Sequence, residues 1–156
     1  LETSAQDGTA AFEAKLRTHA GYGLVQAEIV EGLRLNAGIR YEQARQTVVP
    51  IDLFNTGAAA IVATDLDNDY WLPGATLTYE ASPRLQFRLS GSKTIARPQF
   101  RELVAQIYLD PESNRFFRGN PSLIDSQLWN ADARAEYFFG TDQRLTGAVF
   151  YKRIDN

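Results

Sequence analysis

Arginine and aromatic side chains recur in residues 97–128, and they offer the clearest recognition chemistry in the sequence. A guanidinium group binds carboxylates and phosphates in two-point geometry, and it also stacks on rings. Together with aromatic faces, such groups suit sugar rings or anionic chelates. The segment is therefore a candidate for binding a small ligand, and packing of the segment onto its neighbours is the alternative for each residue. The expected contacts are Arg97, Arg101, Tyr108, Arg115, Phe116 and Arg118.

An acidic run from Asp65 to Asp69 is the second candidate, because clustered carboxylates attract calcium. An EF-hand loop that starts at Asp65 needs glycine at its sixth position and glutamate at its twelfth. The sequence has Tyr70 and Thr76 there, so this motif fails and only a looser calcium site stays open. His19 is the single histidine, which leaves no multi-histidine metal site within the chain. We expect no metal site, and we expect His19 to be an ordinary polar-face residue.

Catalytic motifs are missing from the sequence. It has no glycine-rich phosphate loop after a strand and no Gly-x-Ser-x-Gly elbow, and carboxylates such as Asp110 and Glu112 resemble ordinary solvated charges. With no cysteine and a net charge of -3, the chain lacks disulfides, thiolate metal sites and a basic nucleic-acid surface. We expect a protein that is not an enzyme and needs no cofactor. An esterase or phospholipase carried on a barrel is the alternative, which a single histidine disfavours.

Apolar and polar residues alternate over long stretches, and a period of two is typical of β-strands. Short turns at 30–33, 81–84 and 140–143 separate these stretches from longer connections at 50–69 and 97–128. This asymmetry predicts an all-β fold, an antiparallel up-and-down meander of about six strands that forms a segment of a large transmembrane β-barrel. The predicted strands are 11–29, 34–49, 71–79, 85–96, 129–139 and 145–156.

The two faces of these strands differ in chemistry. Aromatic residues near the three short turns share the apolar face, which is typical of an interfacial girdle, and they are Tyr22, Tyr79, Phe87, Tyr137 and Phe139. The opposite face carries many charged residues, including Arg34, Arg40, Arg88 and Arg134, which a narrow packed barrel could not hold. We therefore expect a wide hydrated interior. One alternative is a soluble all-β binding module with the apolar face packed into a sandwich core. A second is an excised segment that folds differently alone, because open sheet edges invite pairing or aggregation.

Three groups of residues also resemble motifs of a known family. They are Ser92, Thr94, Ala96, Arg97, Pro98, Phe100 and Arg101, then Gly119, Asn120 and Pro121, then Phe150, Tyr151, Lys152, Ile154, Asp155 and Asn156. In this order and spacing, roughly residues 9–156 resemble the C-terminal half of the barrel of TonB-dependent outer-membrane receptors. We interpret Pro98, Phe100, Gly119, Asn120 and Pro121 as structural residues that shape the strand exit and the return of the loop.

The resemblance implies active uptake of a scarce nutrient across the outer membrane of a Gram-negative bacterium. Typical cargo would be an iron–siderophore complex, cobalamin, haem or an oligosaccharide. The resemblance implies that cargo contacts the plug apex and the external loops, which in this chain are residues 50–70 and 97–128. The implied partners are outer-membrane lipid, a plug domain, the remaining barrel strands and the TonB–ExbB–ExbD complex. We expect residues 1–156 to be one segment of such a barrel, cut from a longer protein because Leu1 is no natural start. The plug domain, the TonB box and most strands would then lie outside this chain.

Overall fold

The computed structural model describes residues 11–51, 63–105, 107–110, 114–140 and 143–156. The strands in this part of the chain are β1 Ala11–Val30, β2 Leu33–Ile51, β3 Thr64–Ser82, β4 Leu85–Ala96, β5 Ile107–Asp110, β6 Arg115–Arg118, β7 Ser126–Phe138 and β8 Arg144–Asp155. Six of them form one antiparallel sheet in the order β1-β2-β3-β4-β7-β8, and β5 and β6 form a separate hairpin. The predicted six-strand meander is therefore confirmed.

The helical content of the described residues is one 3-10 turn, Phe100–Leu103. In this part of the chain no helix combines the length and the apolar character needed to cross a membrane.

The turn between β1 and β2 shows why glycine stands there. Gly32 has φ +79, and a β-carbon on it would lie 3.0 Å from the carbonyl oxygen of Glu80. The carbonyl of Gly32 also accepts a 2.7 Å hydrogen bond from the backbone N–H of Glu80. A side chain at position 32 would be strained in its own backbone and crowded by β3. The short turn predicted at 30–33 is confirmed.

Strand register keeps the two faces of the sheet apart. Leu77 lies opposite Leu89, which lies opposite Ala133, and these residues share the apolar face. Tyr79 lies opposite Phe87 on the same face. The intervening positions form the polar face, which carries Thr76, Thr78, Arg88, Ser90, Asp132 and Arg134. Since a slip of one residue would exchange the faces, the alternation in the sequence fixes this register.

The chain divides into two compact units. The described residues of 11–19, 43–69 and 97–125 form the first unit, and those of 20–42, 70–96 and 126–156 form the second. The first unit has a small hydrophobic cluster, made of Val48, Leu103 and Val104 with Ala14, Leu66, Phe100 and Leu123 packed against it.

Two predicted loop boundaries are wrong. Residues 64–69 belong to β3, although we expected a loop over 50–69. Their acidic composition suggested a loop, but Asp65, Asp67 and Asp69 alternate with less exposed neighbours as in any strand. The predicted loop 97–128 contains the 3-10 turn and the β5–β6 hairpin, and β7 already begins at Ser126. Residues 52–62 of the first predicted loop lie outside the described residues.

The hydrophobic cluster gives a first testable prediction. Leu103 is 1% exposed, so replacing it with alanine leaves a cavity that the β-strands around it cannot close. We expect Leu103→Ala to lower the opening free energy of the amides in 97–104 by about 2–4 kcal/mol, measured by hydrogen exchange. Ile124→Ala is the matched control, because Ile124 is in the same unit but exposed. Equal losses of protection in both variants would contradict a core role for Leu103.

Candidate functional site

The apolar face of the second unit carries two bands of aromatic rings, all exposed except the half-buried Tyr41. The tyrosine band comprises Tyr79, Phe87 and Tyr137. The tryptophan band comprises Tyr41, Trp71, Trp129 and Tyr151, with the rings of Tyr41 and Trp71 4.8 Å apart. The ammonium group of Lys93 lies 5.5 Å from the centre of the Trp129 ring. Rings with a cation beside them suit the level at which lipid headgroups meet hydrocarbon.

The spacing of the bands matches a lipid bilayer. From Trp71 to Tyr79, and from Trp129 to Tyr137, the chain covers about nine residues, the length of a tilted transmembrane strand. At about 3.3 Å per residue each stretch measures roughly 26 Å along the strand. Between the bands the apolar face is occupied by Ala75, Leu77, Leu89, Ala131, Ala133 and Val149. The surface therefore has the anatomy of a transmembrane barrel wall.

Only one of these bands was expected from the sequence. Tyr79, Phe87 and Tyr137 of the predicted girdle form the tyrosine band, and Phe139 stacks on Tyr137 at 6.3 Å. Tyr22, the fifth predicted member, instead lines a pocket with Arg40 and Leu72 and is not part of this band. The tryptophan band was missed, although Trp71 and Trp129 each open a predicted strand. Their place at the start of a predicted strand could have revealed the second band, because tryptophan is enriched where a chain enters the hydrocarbon.

The predicted ligand contacts separate into two groups. Arg115, Phe116 and Arg118 are exposed on β6, and Tyr108 lies on β5 opposite Phe117 in the hairpin register. Because side chains alternate along a strand, Phe116 and Arg118 share one side of the hairpin and Arg115 takes the other. Arg97 and Arg101 lie outside the hairpin.

Arg101 and Arg97 differ in their surroundings. The Nε of Arg101, an exposed residue, donates a 3.0 Å hydrogen bond to the side chain of Gln99. The side chain of Arg97 is 20% exposed and lies beside Asp125, with 3.9 Å between Nε and Oδ2. The structure thus groups four of the six predicted contacts on one hairpin and places Arg97 apart from them, beside Asp125.

Asp125 is the centre of a buried polar cluster that the sequence did not reveal. Its Oδ2 accepts a 3.3 Å hydrogen bond from the side-chain amide of Asn68, and its buried Oδ1 has no hydrogen-bond partner among the described residues. Two further hydrogen bonds connect residues 98–103 to β2 and β3. Gln46 Nε2 donates to the carbonyl of Pro98 at 2.9 Å, and Thr64 Oγ1 donates to the carbonyl of Leu103 at 3.3 Å. No motif could have marked these polar residues, because their partners are distant in sequence.

The motif residues Gly119 and Asn120 dock under the 3-10 turn. The backbone N–H of Asn120 donates a 2.6 Å hydrogen bond to the carbonyl of Glu102. A β-carbon on Gly119 would lie 2.8 Å from that carbonyl oxygen and 2.0 Å from that of Val104. The Asn120 side chain then accepts a 3.0 Å bond from the N–H of Ser122. We propose that Pro98, Phe100, Gly119, Asn120 and Pro121 are structural residues that keep the chain around Gly119 packed against the 3-10 turn.

The acidic run does not gather around one point. Asp65 forms a two-point pair with Arg45, with Nε to Oδ1 at 2.9 Å and Nη2 to Oδ2 at 2.5 Å. Hydrogen bonds from Arg45 lower the pKa of Asp65, which lies outside the membrane-spanning stretch 71–79. Because folding lowers the pKa of Asp65, the pair contributes its full stability above the usual pKa of an aspartate. This contribution is lost as the pH falls from there through the lower pKa of the folded state. Within the described residues no group of three or more acidic or histidine side chains could hold a metal ion.

The fold and its aromatic bands define the class of protein as a segment of a transmembrane β-barrel. Comparison with known families matches residues 3–156 to the model described as TonB dependent receptor-like, beta-barrel. The chain therefore belongs to this family, whose members are outer-membrane receptors and transporters and not enzymes. A search of curated proteins found no match. The predicted resemblance and the predicted outer-membrane location are confirmed.

Proposed function

We propose that this chain is part of a receptor that imports a scarce nutrient with energy supplied by TonB–ExbB–ExbD through an N-terminal plug. The family match supports nutrient transport in general. The two aromatic bands support a wall in contact with lipid. The soluble-module alternative has no such support, because Tyr79 and Tyr137 are 46% and 44% exposed on the apolar face.

The β5–β6 hairpin is the proposed cargo contact, and the exposure of the β6 side chains is the observation that carries this assignment. Phe116 is 77% exposed and shares its side of the hairpin with the exposed Arg118, while the exposed Arg115 lies on the other side. Exposed apolar surface rimmed by polar residues is typical of binding sites. Arginines beside a ring suit anionic iron chelates, haem propionates or sugars. Arg97 is mostly buried, so it would meet cargo only after the segment rearranges.

The test compares intact receptors against a panel of a ferric siderophore, cobalamin, haem and an oligosaccharide. We expect the triple variant Arg115→Ala/Phe116→Ala/Arg118→Ala to weaken binding of the accepted cargo at least about tenfold, since a cation–π or ionic contact at an exposed site contributes about 0.5–1 kcal/mol. Binding is measured by titration calorimetry. Uptake is measured in cells with and without a protonophore, which removes the energy that TonB would deliver.

Ile124→Ala is the control for the triple variant, because Ile124 is also exposed in the first unit but lies outside the hairpin. Barrel assembly is checked by the heat-dependent gel mobility of folded barrels. Unchanged affinity of a well-assembled triple variant would refute the hairpin assignment. Uptake that is insensitive to the protonophore would refute TonB coupling.

A further inference from the structure

Two arginines lie directly opposite each other on the polar face of the second unit. In the strand register Thr78 of β3 faces Arg88 of β4, and Arg88 faces Arg134 of β7. Directly opposed residues have β-carbons about 5 Å apart, and like charges at this spacing repel. This cross-strand pair therefore costs stability unless an anion lies between the guanidinium groups.

On one side of this pair, the carboxylates in the adjacent register row already have other partners, and on the other side the row Thr76, Ser90 and Asp132 lines the cavity described below. Glu80, Gln86 and Glu136 form the first of these rows. Glu80 is paired with Arg34, and Glu136 is paired with Arg144 at 3.4 Å. Neither Arg88 nor Arg134 forms an ion pair within the part of the chain that the structure describes.

A polar cavity of about 380 Å³ opens over the two arginines. Besides Arg88 and Arg134, it is lined by Asn36, Thr76, Thr78, Ser90 and Asp132. The hydroxyls of Thr76 and Ser90 are 3.2 Å apart and hydrogen-bonded, so both are positioned to contact a guest as well. Two arginines against one aspartate leave the lining with one excess positive charge, which an anionic guest would balance.

We propose that this cavity binds an oxyanion, a carboxylate or a phosphate, held between the guanidinium groups of Arg88 and Arg134 with hydroxyl and amide groups completing its hydrogen bonds. The planar guanidinium fork matches the two oxygens of such a group. The oxyanion has two possible sources, a small free anion or a carboxylate side chain of a polypeptide segment that occupies the barrel interior. The site uses none of the proposed cargo contacts, so it stands or falls independently of them.

Arginine labelling with phenylglyoxal tests the proposal in the intact receptor in detergent. Labelling rates of individual arginines are read by mass spectrometry in sodium phosphate and in sodium chloride of equal ionic strength. Arg84 is the internal reference, because it is exposed and lies in the turn between β3 and β4, away from the cavity. For a free anion, phosphate should slow labelling of Arg88 and Arg134 at least threefold while Arg84 is unaffected.

A polypeptide carboxylate would give a different pattern. Arg88 and Arg134 would label more slowly than Arg84 in both salts, and Arg88→Gln/Arg134→Gln would lower the melting temperature of the receptor. Lys152→Gln is the matched control, because Lys152 lies on the same polar face opposite Asn130 but outside the cavity. It should leave the melting temperature unchanged. Labelling that is independent of phosphate, together with an unchanged melting temperature of the double variant, would overturn the proposal.

Discussion

Gly119→Ala should detach the chain around Gly119 from the 3-10 turn and expose residues 97–125 to exchange with solvent. The added β-carbon would lie 2.0 Å from the carbonyl oxygen of Val104 and 2.8 Å from that of Arg101. Overpacking against movable side chains costs about 1–3 kcal/mol. Here the obstacles are backbone atoms of a hydrogen-bonded turn, so we expect a loss of about 3 kcal/mol or more in the opening free energy of this segment. Hydrogen exchange of the intact receptor measures it directly.

Gly147→Ala is the matched control for this prediction. Gly147 lies on β8, and a β-carbon there has no atom within 4 Å. Alanine should therefore be accepted at 147 with no loss of protection in either unit. If Gly119→Ala preserved the protection of residues 97–105, the close approach of Gly119 to the turn would not be what holds the segment.

The barrel wall could be predicted because its determinants are local. Alternation at Leu77, Thr78 and Tyr79 fixes which side chain faces lipid, and that pattern is independent of distant partners. The turn at Gly32 was also recognisable, since glycine serves there for its positive φ. Both features depend only on residues that are close in sequence, so the sequence alone is enough to predict them.

The segment between β4 and β7 was harder to predict, because its determinants are not local. Gln46, Thr64 and Asn68 lie on β2 and β3, yet their side chains bind Pro98, Leu103 and Asp125. Such pairs follow from how strands are arranged in space, and a single sequence gives no spacing rule for them. The acidic residues of 64–69 led to a wrong loop prediction for a related reason. Aspartate is depleted in strands, but Asp65 is accepted in β3, where Arg45 pairs with it, and the sequence alone does not show this pair.

Asp125→Ala should be the most damaging polar substitution in the first unit. Asp125 is 6% exposed, so its carboxylate is held away from water beside Arg97 and Asn68. Removing one member of a buried ion pair costs about 3–5 kcal/mol, because the remaining charge stays desolvated. The Arg97 side chain is 20% exposed, and its Nε lies 3.9 Å from Oδ2 of Asp125, so we expect a loss at the lower end of this range. The opening free energy of residues 97–105 should fall by about 3 kcal/mol.

The control for Asp125→Ala separates burial from distance. Asp155 accepts a 2.8 Å bond from Arg153, a shorter contact than that of Asp125 with Arg97, but both side chains are well exposed. Exposed pairs contribute little because water and salt screen them. Asp155→Ala should therefore leave the protection of β7 and β8 unchanged by hydrogen exchange. Equal damage from the two substitutions would show that contact distance, and not desolvation, decides the strength of ion pairs in this protein.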